Sequence, residues 1–83
     1  RVRNAIGKIS KGLASRLMNL QRSRCACGCG EDLNNGYHLD HVQPLAKGGS
    51  NTDDNCQLLA PICNLSKGAK CPIEWMQSRG YLL

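Results

Sequence analysis

At 83 residues the chain has room for one small domain, and its core is expected to be thin because Phe is absent and only Trp75, Tyr37 and Tyr81 are aromatic. No segment approaches the ~20 apolar residues of a membrane span, so no membrane partner is expected. The net charge is +5, and the first 24 residues hold seven of the eleven Lys and Arg residues and no acidic residue. This basic block favours a polyanionic partner, with nucleic acid first, although a solvated helix face explains it equally well when taken alone.

Six cysteines are the second compositional signal, at positions 25, 27, 29, 56, 63 and 71. A small domain with a thin core usually needs an additional stabilising feature, such as a disulfide or a bound metal, which these cysteines can supply. The N-terminal stretch is polar and basic and lacks the apolar segment of a signal peptide, which favours a reducing compartment. In such a compartment, clustered cysteines are expected to be metal ligands rather than disulfides.

The first predicted element is an amphipathic helix. Because Gly7 and Gly12 weaken its first turns, it is predicted to run from about Ser10, as the N-cap, to Arg22. Its apolar residues follow helical steps of three and four and are expected to pack on the rest of the domain. They are Ile6, Ile9, Leu13, Leu17 and Leu20.

Turns and a strand are predicted next. Residues 25–36 are rich in turn formers, and an Asn-Gly pair at their end predicts a hairpin. A strand is predicted over residues 37–42. Asp40 and His41 would point to opposite faces of that strand, unless it ends there and the chain bends, which Pro44 favours.

The remaining elements are a polar loop over residues 47–54, a short apolar return segment over 58–62 and a helix over 63–70. A last helix is predicted to begin at Pro72 and to close at Gly80. The residues of this last region expected to cover the core are Ile73, Trp75, Met76, Leu82 and Leu83.

One group of residues carries chemistry. Asn55 follows the Asp40-His41 pair by fourteen residues, and Asn64 lies nine residues further on. A carboxylate, an imidazole and a carboxamide around one point can hold a hard divalent cation and activate a water beside it. The spacing therefore indicates metal-assisted cleavage of a phosphodiester.

Three segments, YHLDHVQPLAKGGSNTDDN, QLLAPICNLSKGAK and PIEWMQSRGYLL, together resemble an HNH endonuclease of the ββα-metal group, especially the small ones of bacteriophages and prophages. The resemblance covers about residues 17–83, and the spacing of the Asp-His pair and the two Asn residues is also similar to the HNH domain of the RNA-guided CRISPR nucleases. It implies an α+β fold. A small ββα-metal (His-Me finger) domain with a zinc-stapled knuckle and a C-terminal helix would occupy residues 25–83, and residues 1–24 would form a basic helix packed on it.

The resemblance also implies roles for single residues. His41 resembles the general base, since an imidazole can accept a proton from water at neutral pH. Asp40 resembles the carboxylate ligand of a catalytic cation, with a turn cap as the alternative. Asn64 resembles the second ligand, and its amide oxygen suits Mg²⁺ or Mn²⁺. A helix cap is the alternative for Asn64.

Three further residues are expected to support this site. Asn55 resembles the middle residue of the motif, which pins the loop to the strand without touching the metal. Lys67 follows Asn64 by one turn and is expected to reach the phosphate as a point charge, with a solvated lysine as the alternative. His38 is expected to assist beside Asp40, touching metal or phosphate, with an uninvolved surface histidine as the alternative.

Many relatives hold a structural zinc with two CxxC pairs, and this chain departs from that pattern. Ala60 stands where one ligand is expected, and three residues instead of two separate Cys25 from Cys29. The predicted ligands are Cys25, Cys29 and Cys63 with Cys27 as the fourth, and Cys71 is its rival. Cys56 is expected to be a small buried apolar residue.

The predicted function is a Mg²⁺- or Mn²⁺-dependent endonuclease acting on DNA, of a nicking type or associated with phage packaging. DNA is the expected partner, a phage terminase a further one, and the cytoplasm of a bacterial host the expected location. The oligomeric state is left open. A catalytically inactive, zinc-stapled DNA-binding module is the alternative, and a zinc-stapled adaptor that binds other proteins is a third reading.

Overall fold

The computed structural model describes residues 8–80, which form an α+β fold of three helices and a two-stranded sheet. The elements in chain order are α1 (Leu13–Leu20), β1 (His38–His41), β2 (Cys56–Leu59), α2 (Pro61–Lys67) and α3 (Pro72–Ser78). Short 3-10 turns over residues 33–35, 45–47 and 53–55 lie between them. No helix within residues 8–80 combines the length and the apolar character needed to cross a membrane.

A ββα unit forms the centre of the molecule. β1 and β2 are antiparallel, with His38 opposite Leu59 and His41 opposite Cys56. Only Ala60 separates β2 from α2, and its extended backbone turns the chain into a helix that starts with a proline at its first position. Because the link is so short, α2 packs directly against both strands. The predicted α+β fold with a ββα arrangement is confirmed.

α1 is shorter than predicted, and Ser10 does not cap it. The helix begins after Gly12, whose φ of +77° is a left-handed conformation. The backbone N–H of Ser10 instead donates to Asp53 Oδ1 at 2.8 Å, so this segment is tied to the loop before β2.

The buried face of α1 is rotated relative to the predicted stripe. Leu13 is buried and Leu17 is partly buried, as expected, but Leu20 is 73% exposed. Ala14 and Met18 pack on the core instead. Ile6 lies outside the described residues.

Gln21 fastens the end of α1 to the sheet. Its carboxamide Oε1 accepts the backbone N–H of Leu58 at 3.0 Å, and its Nε2 donates to the carbonyl of Leu58 at 3.0 Å. One amide side chain thus satisfies both outward-facing backbone groups of a β2 residue, as a third strand would.

The Asn-Gly pair at positions 35 and 36 does not form a hairpin, so that prediction is wrong. Both residues belong to the end of the 3-10 turn Leu33–Asn35, which Asp32 caps by accepting the N–H of Asn34 at 2.9 Å. The pairing partner of β1 comes later in the chain, in β2.

The core lies between the sheet, the cysteine-rich turn and α3. Its buried members are Cys25, Leu33, Leu58, Leu59, Ala60 and Trp75. Trp75 was expected there, whereas Ile73 is 58% exposed and Met76 is 38% exposed. With only seven residues, α3 buries one narrow face. Leu82 and Leu83 lie outside the described residues.

Candidate functional site

Asp40 lies on β1 and faces α2. Its carboxylate accepts a hydrogen bond from Gln57 Nε2 on the paired strand at 2.9 Å. It also forms an ion pair with Lys67 at 3.1 Å, and the side chain of Asp40 is only 10% exposed. A carboxylate has about four lone-pair positions, so two donors leave acceptor capacity on Asp40.

Lys67 is a buried residue of α2 that contacts β1. Its side chain is 1% exposed, and its ammonium contacts the Asp40 carboxylate and the backbone carbonyl of His41, the latter at 3.0 Å. A buried ammonium held by these acceptors is not a solvated lysine, so that alternative is wrong. The expected contact with phosphate stays a prediction, and in the structure Lys67 holds Asp40 and the backbone of His41 in place from α2.

Asn64 and His38 form a second contact between α2 and β1. Asn64 Nδ2 lies 2.8 Å from His38 Nδ1, so the ring nitrogen accepts and the Asn64 amide oxygen stays available for another partner. Asn64 lies inside α2, whose N-cap is Ala60, so the helix-cap alternative does not apply. His38 and Asp40 are two residues apart and share a face of β1, which puts the Asn64 amide on the same helix–strand interface as the Asp40 carboxylate.

His41 is the last residue of β1, where the strand ends as the predicted bend requires. Its Nε2 lies 2.8 Å from Asn51 Oδ1. Asn51 was not among the sequence-predicted site residues. Asn51 lies in a loop that contains several polar residues, any of which could have reached His41. Because the two residues are ten positions apart, no local sequence pattern predicts which of them does.

Asn55 clamps the loop that carries Asn51. Its Oδ1 accepts the N–H of Gln43 at 3.0 Å, and its Nδ2 donates to the carbonyls of Gln43 at 3.0 Å and Ser50 at 2.8 Å. These bonds join the chain just after β1 to the loop before β2. Gly49 lies against this clamp, and a Cβ there would overlap with the carbonyl oxygen of Gln43.

An open cleft of about 300 Å³ lies beside these residues, and both Asp40 and His41 line it. The other lining residues are Pro44, Leu45, Ala46, Lys67, Gly68 and Ala69. A second cavity of about 270 Å³ lies against α3 but is lined by no carboxylate or imidazole. The first cleft therefore has the groups needed for hydrolysis, and the second does not.

The donor set fits a hard divalent cation. Asp40 could supply carboxylate oxygens, and Asn64 could supply an amide oxygen that its contact with His38 leaves available. Oxygen ligands of this kind suit Mg²⁺, which usually keeps several waters and takes only one or two carboxylates. The Lys67 ammonium offsets the charge of Asp40, so a cation here would be held with modest strength.

Four sulfur atoms form a cluster separate from the Asp40–His41 cleft. Cys25, Cys27, Cys29 and Cys63 have ligand atoms within 4.8 Å of one another, and neighbouring pairs are 3.3, 3.5 and 3.6 Å apart. Tetrahedral Zn–S bonds of 2.3 Å would give S···S distances of about 3.8 Å. The cluster could hold a metal ion such as zinc, with a small outward movement of the sulfurs.

The position of Ala60 explains how the chain does without a second CxxC pair. The tight CACGC turn supplies three sulfurs, with Gly28 at a φ of +89°, and the backbone N–H of Ala60 donates to Cys25 Sγ at 3.3 Å. Cys71 is not in the cluster. It caps α3, where Glu74 accepts the N–H of Cys71 at 3.0 Å.

The surroundings shift the pKa values of Cys27, Cys29 and Cys63 in different directions. Burial raises the pKa of Cys63 and also that of Cys27. The backbone N–H of Glu31 lowers the pKa of Cys29. Cys56, outside the cluster, is buried, and burial raises its pKa as well.

The basic N-terminal block is only partly available to a polyanion. Arg16 pairs with Asp53 at 2.8 Å, and Arg24 donates to the carbonyl of Gly30 at 3.3 Å. Lys8, Lys11 and Arg22 are exposed, while Arg1 and Arg3 lie outside the described residues.

Comparison with known proteins identifies the region that carries both sites. Residues 23–70 match the family model described as HNH endonuclease. This match covers more than half of the chain and includes all of the candidate ligands except the rival Cys71.

Two relatives match most of the chain. The type IV methyl-directed restriction enzyme EcoKMcrA of Escherichia coli K12 is 41% identical over 69 residues, which is 69% of this chain and 25% of that protein. The CRISPR-associated endonuclease Cas9 of Corynebacterium diphtheriae is 35% identical over 68 residues, which is 78% of this chain and 6% of that protein. The chain thus spans a quarter or less of either relative.

Proposed function

The chain belongs to the HNH endonuclease family, and on that premise we propose that it hydrolyses phosphodiester bonds of DNA with the help of a divalent cation. The observation that carries the proposal is the cleft lined by both Asp40 and His41. A cation ligand and a proton acceptor beside one open space are the two groups that this reaction needs.

Asp40 and Asn64 would hold the cation, Mg²⁺ or Mn²⁺. When bound, it would neutralise the negative charge that builds up on the phosphate in the transition state. Lys67 keeps the Asp40 carboxylate and the His41 backbone in a fixed relation through its two contacts. His38 keeps the oxygen of Asn64 free.

His41 takes the proton from the attacking water on its ring, and the water oxygen then attacks phosphorus in line with the leaving 3′ oxygen. Family resemblance predicts 5′-phosphate and 3′-hydroxyl products. One active site cuts one strand, so a single copy of the chain is expected to nick. A role in phage packaging stays a prediction from the resemblance.

DNA as the substrate is supported by charge as well as by family. Exposed basic residues on the N-terminal segment are available for phosphate contacts, which add affinity without sequence information. Both relatives carry names of nucleic-acid-cleaving enzymes, one a restriction enzyme and the other a CRISPR-associated endonuclease.

The cysteine cluster is proposed as a structural zinc site with Cys25, Cys27, Cys29 and Cys63 as ligands. Four protein ligands would leave no open position for a substrate, as is usual for structural sites.

Nicking of a supercoiled plasmid in Mg²⁺ tests the proposal. His41→Ala should lower the rate by about 10²- to 10⁴-fold, while gel-shift affinity and the circular dichroism spectrum stay near those of the unmodified chain. Asn34→Ala is the matched control, since this side chain is exposed and lies in the 3-10 turn before β1, outside the residues that line the cleft. Unchanged nicking by the His41 variant would remove that residue from the mechanism. DNA binding without any nicking by the unmodified chain, in Mg²⁺ or Mn²⁺, would favour the inactive DNA-binding module.

A further inference from the structure

We propose that Asn51 is a positioning residue that selects the catalytic nitrogen of His41, leaving Nδ1 as the atom that accepts the proton. The proposal rests on the proposed function, because it concerns how the base of that reaction is prepared. Which ring nitrogen of His41 carries the hydrogen can nevertheless be measured without any cleavage reaction.

The contact itself sets the proton. Asn51 Oδ1 lies 2.8 Å from His41 Nε2, and a carbonyl oxygen can only accept a hydrogen bond. Nε2 must therefore carry the hydrogen. In the neutral ring, the lone pair is then on Nδ1, the only ring nitrogen able to take a proton from water.

Nδ1 of His41 makes no hydrogen bond to any residue within 8–80. The only hydrogen bond of the His41 side chain to residues 8–80 is the one to Asn51, and Lys67 binds the backbone carbonyl of His41 instead of the ring. The lone pair on Nδ1 is therefore available, and His41 is one of the residues that line the cleft.

The loop is held firmly enough to act as a positioning device. Asn55 binds the carbonyl of Ser50, the residue before Asn51, at 2.8 Å. Asn55 also binds both backbone groups of Gln43, two residues after His41. Asn55 therefore connects the backbone next to Asn51 with the backbone just after His41. This connection limits how far these two residues can move apart.

This arrangement also favours the product of the proton transfer. Once Nδ1 takes a proton, the ring is cationic, and the hydrogen bond from Nε2 to an amide oxygen becomes charge-assisted and stronger. The contact therefore helps the base more in the transition state than before it, which is the condition for raising kcat.

The first measurement is the proton position, read from the ¹⁵N chemical shifts of the His41 ring in the full chain. The unmodified chain should show a neutral ring with hydrogen on Nε2. Asn51→Ala should give a mixture of both neutral forms, and Asn51→Asp, which keeps an acceptor in place, should restore the Nε2–H form. Hydrogen on Nδ1 in the unmodified chain would overturn the proposal, whether or not the chain cleaves DNA.

The second measurement is plasmid nicking by the same variants. Asn51→Ala should lower kcat by about tenfold, the equivalent of one hydrogen bond, with KM for DNA and the Mg²⁺ titration unchanged. Asn51→Asp should recover most of this loss, and Asn34→Ala should cause none. A kcat for Asn51→Ala equal to that of the unmodified chain would overturn the proposal. Absence of nicking by the unmodified chain would instead count against the proposed function, and the ¹⁵N shifts would still decide the role of Asn51.

Discussion

Cys63 and Asn64 are neighbours on α2, and their side chains serve two different candidate sites. Cys63 meets three sulfurs of the CACGC turn, whereas Asn64 meets His38 on β1. The sulfur cluster brings four candidate ligands to one point, whereas the candidate oxygen site consists of Asn64 and Asp40, and Asp40 lines an open cleft. A closed set of soft ligands suits a stabilising ion, and an open set of hard ligands leaves room for water and substrate.

The comparison shows how a thin core can support a reactive site. β1 and α2 contribute no fully buried apolar side chain, whereas β2 contributes Leu58 and Leu59, and the cysteine turn packs on these through Cys25. A metal in the sulfur site would therefore rigidify the helix that carries Asn64 and Lys67. The two sites are expected to have different roles. Loss of the sulfur site should unfold the domain, whereas loss of the oxygen site should stop only the reaction.

The largest expected effect is on the sulfur site. Cys63→Ser should abolish stoichiometric zinc binding and most of the cooperative unfolding transition, because a structural zinc contributes apparent binding free energies of about 10–16 kcal/mol in small domains. Zinc content by mass spectrometry and thermal melting by circular dichroism are the measurements. Cys71→Ser is the control and should keep the bound zinc. A Cys63 variant that still holds one zinc per chain would show that the sulfur cluster is not the site.

The next largest effect is expected from substitution of Lys67. Lys67→Met should lower the free energy of unfolding by about 3–5 kcal/mol, because it leaves the Asp40 carboxylate buried without its cation. Urea unfolding measures the change, with Lys70→Met as the control, since within residues 8–80 the Lys70 ammonium donates only to the carbonyl of Ser66. Adding Asp40→Asn to the Lys67 variant should recover part of the loss. No recovery would mean that lost packing, rather than the unpaired charge, causes the effect.

Asn64 separates the two sites most directly. Asn64→Ala should raise the Mg²⁺ concentration needed for half-maximal nicking by about tenfold, and zinc content should be unchanged, although the substitution is adjacent to Cys63. An unaltered Mg²⁺ titration would remove Asn64 from the cation site. A parallel loss of zinc would show that the two sites are not independent.

The smallest effect is expected at an ion pair outside both sites, between Lys47 and Glu74. The Lys47 ammonium lowers the pKa of Glu74 from 4.5 to about 2. Because the folded chain then binds fewer protons than the unfolded chain between these values, this contribution to stability is present above about pH 4.5 and is lost as the pH falls through about 2. Glu74→Gln should lower the urea midpoint slightly at pH 6 and not at pH 2. An equal change at both pH values would contradict the electrostatic origin, and an exposed pair is expected to contribute little.

Several features of the chain could be predicted from sequence because their physical causes are local. The strand with Asp-His at its end and the helix after a second apolar segment were predicted from local patterns, whereas their combination in a ββα unit was implied by the resemblance. α3 was predicted at its observed start because a proline at the first helical position is a local constraint. The helix limits were less accurate, since Gly12 ends the first turn of the predicted α1 and Pro61 starts α2 two residues early.

The sequence by itself determined which chemical groups are available and how far apart they are along the chain: six thiols, the carboxylate of Asp40, two imidazoles and the amides of residues 55 and 64. Only the tertiary structure decided which of them meet. It buried Lys67 against Asp40, a residue 27 positions away, brought Asn51 to His41, and used Gln21 as a substitute strand for Leu58. Burial and hydrogen-bond pairing between distant segments depend on packing in three dimensions, and one-dimensional spacing carries no information about which donor will fill a given acceptor.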